Sequence, residues 1–177
     1  MTVNQREKEI ESRLLPMLKH HPEAVTIYRA TSSGAKTMAD LINGHPWDKF
    51  HDNTDWNKFK DLMQDVSCGT CPDIVIYSAK THENRIYIEV KDTRELGYGV
   101  EESQIIRYFL HLLVTTKKGA GQETDLSRAV LLCAPSRWFK TQRTAKSWNY
   151  FVEHFSGLAT AFAITLGEIH SEELPVC

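Results

Sequence analysis

Asp73, Glu89 and Lys91 are the residues of this chain whose types and spacing could do chemistry together. Glu89-Val90-Lys91 is the single place where a carboxylate stands two residues before a lysine, and Pro72-Asp73 is the single Pro-Asp pair. An extended segment alternates its side chains between two faces. In Ile86-Tyr87-Ile88-Glu89-Val90-Lys91 the aliphatic residues therefore share one side, and Tyr87, Glu89 and Lys91 share the other. If the segment that starts at Asp73 pairs with this one as a hairpin, Asp73 falls near Glu89. Two carboxylates brought together repel unless a cation lies between them. A hard divalent ion, magnesium or manganese (Mg2+ or Mn2+), suits such oxygen ligands and takes water and substrate phosphate besides. The chemistry is then phosphodiester hydrolysis, because the ion polarises a phosphoryl oxygen and makes water acidic enough to attack near neutral pH. Lys91 would orient that water or offset charge growing on the phosphate, and the backbone carbonyl of Val90 would add an oxygen ligand. The plain alternative is an edge-strand ion pair beside a strand-starting aspartate.

These three residues need two adjacent strands, and the pattern predicts them at Asp73–Tyr77 and Arg85–Lys91, joined by a turn through Lys80 to Asn84. Before them, Ile10, Leu14, Leu15, Met17 and Leu18 recur at helical spacing and predict a helix over residues 4–20. Pro16 allows a kink or an early end there. A first strand is expected over Val25–Ala30, followed by the turn-forming Thr31-Ser32-Ser33-Gly34. Residues 37–66 read as an insertion with a short helix from about Trp56 to Val66, since about 30 residues cannot bury a core alone. After the loop at Gly97-Tyr98-Gly99 a helix is expected over Glu101–Thr115, then an apolar strand over Arg128–Cys133. A further helix over 140–155, with Trp148, Phe151, Val152 and Phe155 inward, and a strand over Thr160–Leu166 close the chain. The expected class is α/β: a mixed central sheet flanked by helices, in one domain spanning residues 1–177.

Size and composition agree with that. The 177 residues are 41% hydrophobic and 25% charged, enough for one real core. No run of about 18 apolar residues exists, so no membrane span is expected, and Met1–Ile10 is too polar for a signal peptide. A cytoplasmic protein is the expectation, with Cys68, Cys71, Cys133 and Cys177 reduced. The net charge of −2 does not mark a polyanion binder, yet Leu126–Val152 lacks any acid and carries Arg128, Arg137, Lys140, Arg143 and Lys146. Such a strip can hold a phosphate backbone, or it can be a solvated helix face.

Pro72-Asp73 followed sixteen residues on by Glu89-Val90-Lys91 resembles the PD-(D/E)XK nuclease superfamily, which includes restriction endonucleases, Holliday junction resolvases and RecB-type exonucleases. The likeness covers about residues 5–135 and implies a restriction-endonuclease-like αβββαβ core, here with an added C-terminal helix and strand. It implies Asp73, Glu89 and Lys91 as catalytic residues, with Asp73, Glu89 and Val90 as metal ligands. Family members often add an acid from the first helix; Glu11 is the choice here, because Leu14, Leu15 and Leu18 point it inward, and Glu7 is the alternative. Tyr28–Ala35 resembles the Arg-x-x-x-Ser-Gly segment of archaeal Holliday junction resolvases, which implies that Ser33 approaches the phosphate. Those enzymes reach Pro-Asp sooner, so residues 37–66 depart from that branch. Gln104-Ile105-Ile106-Arg107-Tyr108 resembles the Gln-x-x-x-Tyr motif of RecB-like nucleases, implying that Gln104 serves catalysis and Tyr108 contacts nucleic acid.

Other signals rank lower. Cys68-Gly-Thr-Cys71 is a lone Cys-x-x-Cys and no bound zinc or cluster is assigned to it. His20, His21 and His111 are candidate general bases, with ordinary surface histidines the better reading. In Arg137-Trp138-Phe139-Lys140 one aromatic is expected to face nucleic acid and the other to anchor the next helix, without a choice between them. The expected function is a Mg2+- or Mn2+-dependent nuclease acting on DNA ahead of RNA. A binding module that kept only the fold is the rival. The resemblance leaves a homodimer open, since two sites cut two strands.

Overall fold

The computed structural model describes residues 2–19, 23–29, 71–94, 96, 104–114 and 128–176. The expected insertion with its helix, Ser33, Cys68, Cys177, His20, His21 and the loop at 97–99 lie outside these residues. The elements run α1 (Val3–Leu18), β1 (Ala24–Ile27), β2 (Ile74–Tyr77), β3 (Asn84–Val90), α2 (Gln104–Val114) and β4 (Arg128–Ala134). Then come α3 (Ser136–Lys140), α4 (Gln142–Ala161), β5 (Ile164–His170) and a short 3-10 turn, Ser171–Glu173.

One five-stranded sheet has the order β1-β2-β3-β4-β5. The first three strands pair antiparallel, while β3, β4 and β5 run parallel. A hairpin turn suffices for β2 to β3, where Ser78 and His82 close the loop by backbone hydrogen bonds and His82 takes a left-handed φ of 59°. Parallel neighbours need crossovers, and α2 and the α3–α4 pair supply them. The fold is therefore α/β, with a mixed open sheet and helices on both faces.

The two faces carry different cores. Val75, Tyr87, Val130 and Leu132 pack with Phe109, Leu112 and Leu113 of α2 and Trp148, Phe151 and Phe155 of α4. The opposite face is aliphatic: Ile74, Ile76, Ile86, Ile88 and Val90 meet Ile10 and Leu14 of α1. Each such side chain fully withdrawn from water contributes roughly 1.5–3 kcal/mol.

Local signals explain the ends. Thr2 and Gln5 form a capping box that starts α1, and Pro16 sits inside its final turn, where it costs one hydrogen bond without ending the helix. The expected strand at Thr160–Leu166 is corrected to Ile164–His170, and the expected helix at 140–155 to α3 plus a longer α4. Leu158 and Ala159 continue the buried stripe of Phe151 and Phe155, which carries α4 on by helical spacing. Ala163, with a φ of 53°, then turns the chain into β5.

Candidate functional site

Register builds the site. Ile74 faces Ile88 and Val75 faces Tyr87, which sets Asp73 opposite Glu89 where β2 begins and β3 ends. Val75 and Tyr87 lie in the α2–α4 core, so Asp73 and Glu89, two residues from each, project to that same side. The backbone N–H of Val90 donates to Asp73 Oδ2 at 2.7 Å and fixes that carboxylate. Glu89 is buried; Lys91 Nζ donates to its Oε1 at 2.7 Å and the Tyr108 hydroxyl to its Oε2 at 2.6 Å.

Helix α1 brings two more acids. Glu11 is buried, and its two oxygens accept from the Tyr28 hydroxyl at 3.1 and 3.0 Å. Glu7 Oε1 accepts from the backbone N–H of Asp92 at 3.5 Å. Tyr28, just past β1, holds its position by donating its backbone N–H to the Asp73 carbonyl at 3.0 Å, with a left-handed φ of 51°.

The electrostatics follow from this crowding. Burial, with the charge of Glu89 adding to it, pushes Asp73 up to about 7, against the lowering effect of the Val90 N–H and Lys91. Burial also raises Glu7 and Glu11, and burial beside Glu11 pushes Tyr28 up to about 12. For Lys91, burial alone would favour the neutral amine, but the adjoining Glu89 outweighs it and the ammonium is held charged. Four carboxylates thus crowd one corner, with Lys91 beside Asp73 and Glu89, Arg94 acting on Glu7 and Lys8 on Glu11.

Some expected site residues meet here and others do not. Asp73, Glu89 and Lys91 meet, Val90 contributes its N–H to Asp73, and Glu11 acts on Asp73 and Glu89 through its charge. Tyr108, expected to contact nucleic acid, is buried and donates its hydroxyl to Glu89, and burial beside Glu89 raises its hydroxyl pKa steeply. Gln104 sits at the start of α2, half-buried, its backbone N–H on the Leu96 carbonyl at 3.1 Å. His111 is buried and bonded to the Tyr87 hydroxyl at 2.8 Å, and burial lowers its pKa to about 4, so it is a neutral core histidine.

Among the basic residues, Arg137, Lys140, Arg143 and Lys146 are exposed on α3 and α4. Arg128 stands apart from them. It starts β4, level with the beginning of β3, and its guanidinium reaches the Leu112 carbonyl at 3.3 Å. Trp138 and Phe139 both pack inward: Trp138 is fully buried and Phe139 rests edge-on against it, so neither aromatic is left clear of the core. Sequence reasoning missed Tyr28 as the partner of Glu11, and missed Asp92, which joins Arg6 and Arg137. The Lys91-Asp92 adjacency was the available signal for the latter.

No protein-family model matches the chain, and neither a curated protein nor a solved structure matches it. Among the described residues no helix is long and apolar enough to cross a membrane. Among them, too, no group of three or more His, Cys, Asp and Glu is placed to hold a metal ion. A magnesium or manganese site does not require three, since one or two carboxylates with water and phosphate oxygens complete the shell. The all-oxygen donors Asp73 and Glu89 are of the type that a hard divalent ion takes.

Proposed function

We propose that this protein is a divalent-metal-dependent nuclease of the PD-(D/E)XK type, with a restriction-endonuclease-like core, that hydrolyses phosphodiester bonds in DNA ahead of RNA. The observation that carries the reading is the convergence of Asp73 and Glu89 on one sheet face, with Lys91 bonded to Glu89 and Asp73 pushed up to about 7. Asp73 and Glu89 would hold Mg2+ or Mn2+, with Glu11 beside them. The bound ion supplies Lewis-acid polarisation of the phosphoryl oxygen and a more acidic water. The Lys91 ammonium orients the attacking water and offsets charge growing on the phosphate oxygens. The Val90 N–H and the Tyr108 hydroxyl keep the two carboxylates from rotating away. Water adds to phosphorus as the bond to the leaving sugar oxygen breaks; the attacking water gives its proton to solvent, and the leaving oxygen takes one from solvent to become a hydroxyl. A homodimer would supply a second such site for the second strand.

Hydrolysis of plasmid and labelled oligonucleotides with and without manganese tests the reading. Wild type is expected to cut only with the metal, and Asp73→Ala to lose at least about 100-fold in rate. Cutting by Asp73→Ala at the wild-type rate, or no cutting by wild type, sinks it. One observation favours a second reading: Lys91 and Tyr108 already engage both oxygens of Glu89, as an idle binding module would keep them. Calorimetric titration with manganese separates the two, since the idle module has no reason to bind it.

A further inference from the structure

Asp92, the residue after Lys91, is buried, yet both guanidiniums it holds are open to solvent. Arg137 Nη2 meets Asp92 Oδ1 at 2.7 Å and Arg6 Nη1 meets Oδ2 at 3.4 Å; the arginine side chains are 65% and 49% exposed. A third arginine, Arg94, is exposed beside them, its backbone carbonyl pinned by the Trp138 indole N–H at 2.8 Å. A buried carboxylate left without a partner costs several kcal/mol, so the two pairs compensate Asp92, and they also fix the direction of both guanidiniums. Each guanidinium spends one terminal nitrogen on Asp92 among the described residues and keeps other N–H donors for a partner. Three arginines against Asp92 and Glu7 leave a single positive charge at the rim of an acid corner, which a polyanion otherwise avoids.

We propose that Asp92 positions Arg6 and Arg137, with Arg94 beside them, as a clamp for a backbone phosphate of the strand that enters the acid corner. This rests on the nuclease reading above. Arginine forks match phosphate oxygens bidentately. Asp92 follows Lys91 directly in the chain, so the arginines it holds belong to the rim of the acid corner. A clamp there takes a phosphate of the strand whose backbone enters the corner, and it works on single-stranded as well as duplex DNA.

Fluorescence anisotropy of labelled single-stranded and duplex oligonucleotides, in chelator and over a range of salt, reads the clamp without requiring cleavage. Arg137→Gln is expected to weaken binding of both about tenfold and to reduce the slope of log affinity against log salt by about 0.7–0.9. Arg137→Lys should restore the slope but only part of the affinity, because it keeps the charge without the fork. Asp92→Asn should weaken binding with the slope unchanged; equal or tighter binding means that Asp92 only neutralises the arginines and overturns its positioning role. In cleavage, Arg137→Gln should raise KM far more than it lowers kcat. Unchanged anisotropy in Arg137→Gln overturns the clamp. Wild-type hydrolysis of the small diester bis(4-nitrophenyl) phosphate with manganese reports on the acid corner alone. If that hydrolysis is absent while Arg137→Gln still weakens DNA binding, the nuclease reading fails and the clamp stands. If the diester is cut and Arg137→Gln binds as wild type does, the clamp fails and the nuclease reading stands.

Discussion

Asp73 and Glu172 belong to two carboxylate corners at the same end of the sheet, and they respond to their surroundings in opposite ways. Asp73 is withdrawn from water and faces Glu89, so its carboxyl resists ionisation until about pH 7. Glu172 lies on the surface after β5. The little burial it has works the other way, but the Ser136 N–H at 2.9 and 3.0 Å and the Ser136 hydroxyl hold its carboxyl below the usual range, with His170 nearby. At the surface corner a carboxylate caps the short helix α3 and its ionised form is favoured. At the interior corner the ionised form is penalised and carboxylates are nonetheless gathered there. The lesson is thermodynamic: burial beside another acid turns a carboxylate's charge into a cost, while backbone and hydroxyl donors at the surface favour it.

The largest test of that contrast is the pH dependence of stability. A folded-state pKa raised from 3.8 to about 7 gives stability that is fully present below the lower value and is lost as pH rises through the upper one. Wild type should therefore lose on the order of 3 kcal/mol more than Asp73→Asn between about pH 4 and pH 8. Urea unfolding in chelator measures it, and parallel profiles for the two proteins would remove the charge crowding. Manganese should return this stability at the alkaline end of the range and do little at the acid end, because protonated Asp73 is a poor ligand.

Next in size is Tyr108→Phe. The phenol donates to a buried carboxylate, and losing a hydrogen bond to a charged group costs about 1.5–3 kcal/mol. Because Lys91 alone then holds Glu89, manganese affinity should fall as well; a loss of stability with unchanged affinity would make Tyr108 a packing residue only. The smallest effect is expected at the surface. Glu172→Ala should cost about 0.5–1 kcal/mol near neutral pH, as the loss of a helix cap does. A depressed pKa gives stability present above the unfolded value near 4.5 and lost as pH falls through the folded one. The Glu172→Ala deficit should thus shrink in acid, the reverse of the Asp73 behaviour; a deficit independent of pH would assign Glu172 a packing role.

Residue patterns read along the chain determined the class and order of the elements, and the pairing of Asp73 with Glu89. Period-two alternation sets which side chains share a face, and a hairpin fixes register between near neighbours. The end of α4 was misplaced because Leu158 and Ala159 extend a helical stripe into a stretch that also reads as strand. Tertiary structure alone decided that Tyr108 points at Glu89, that Tyr28 holds Glu11, and that Asp92 gathers Arg6 from α1 and Arg137 from α3. Nothing in a local pattern encodes these contacts, because they join segments up to 86 residues apart. Their geometry depends on how helices rotate when they bury their apolar faces against the sheet, and that rotation is settled only by packing.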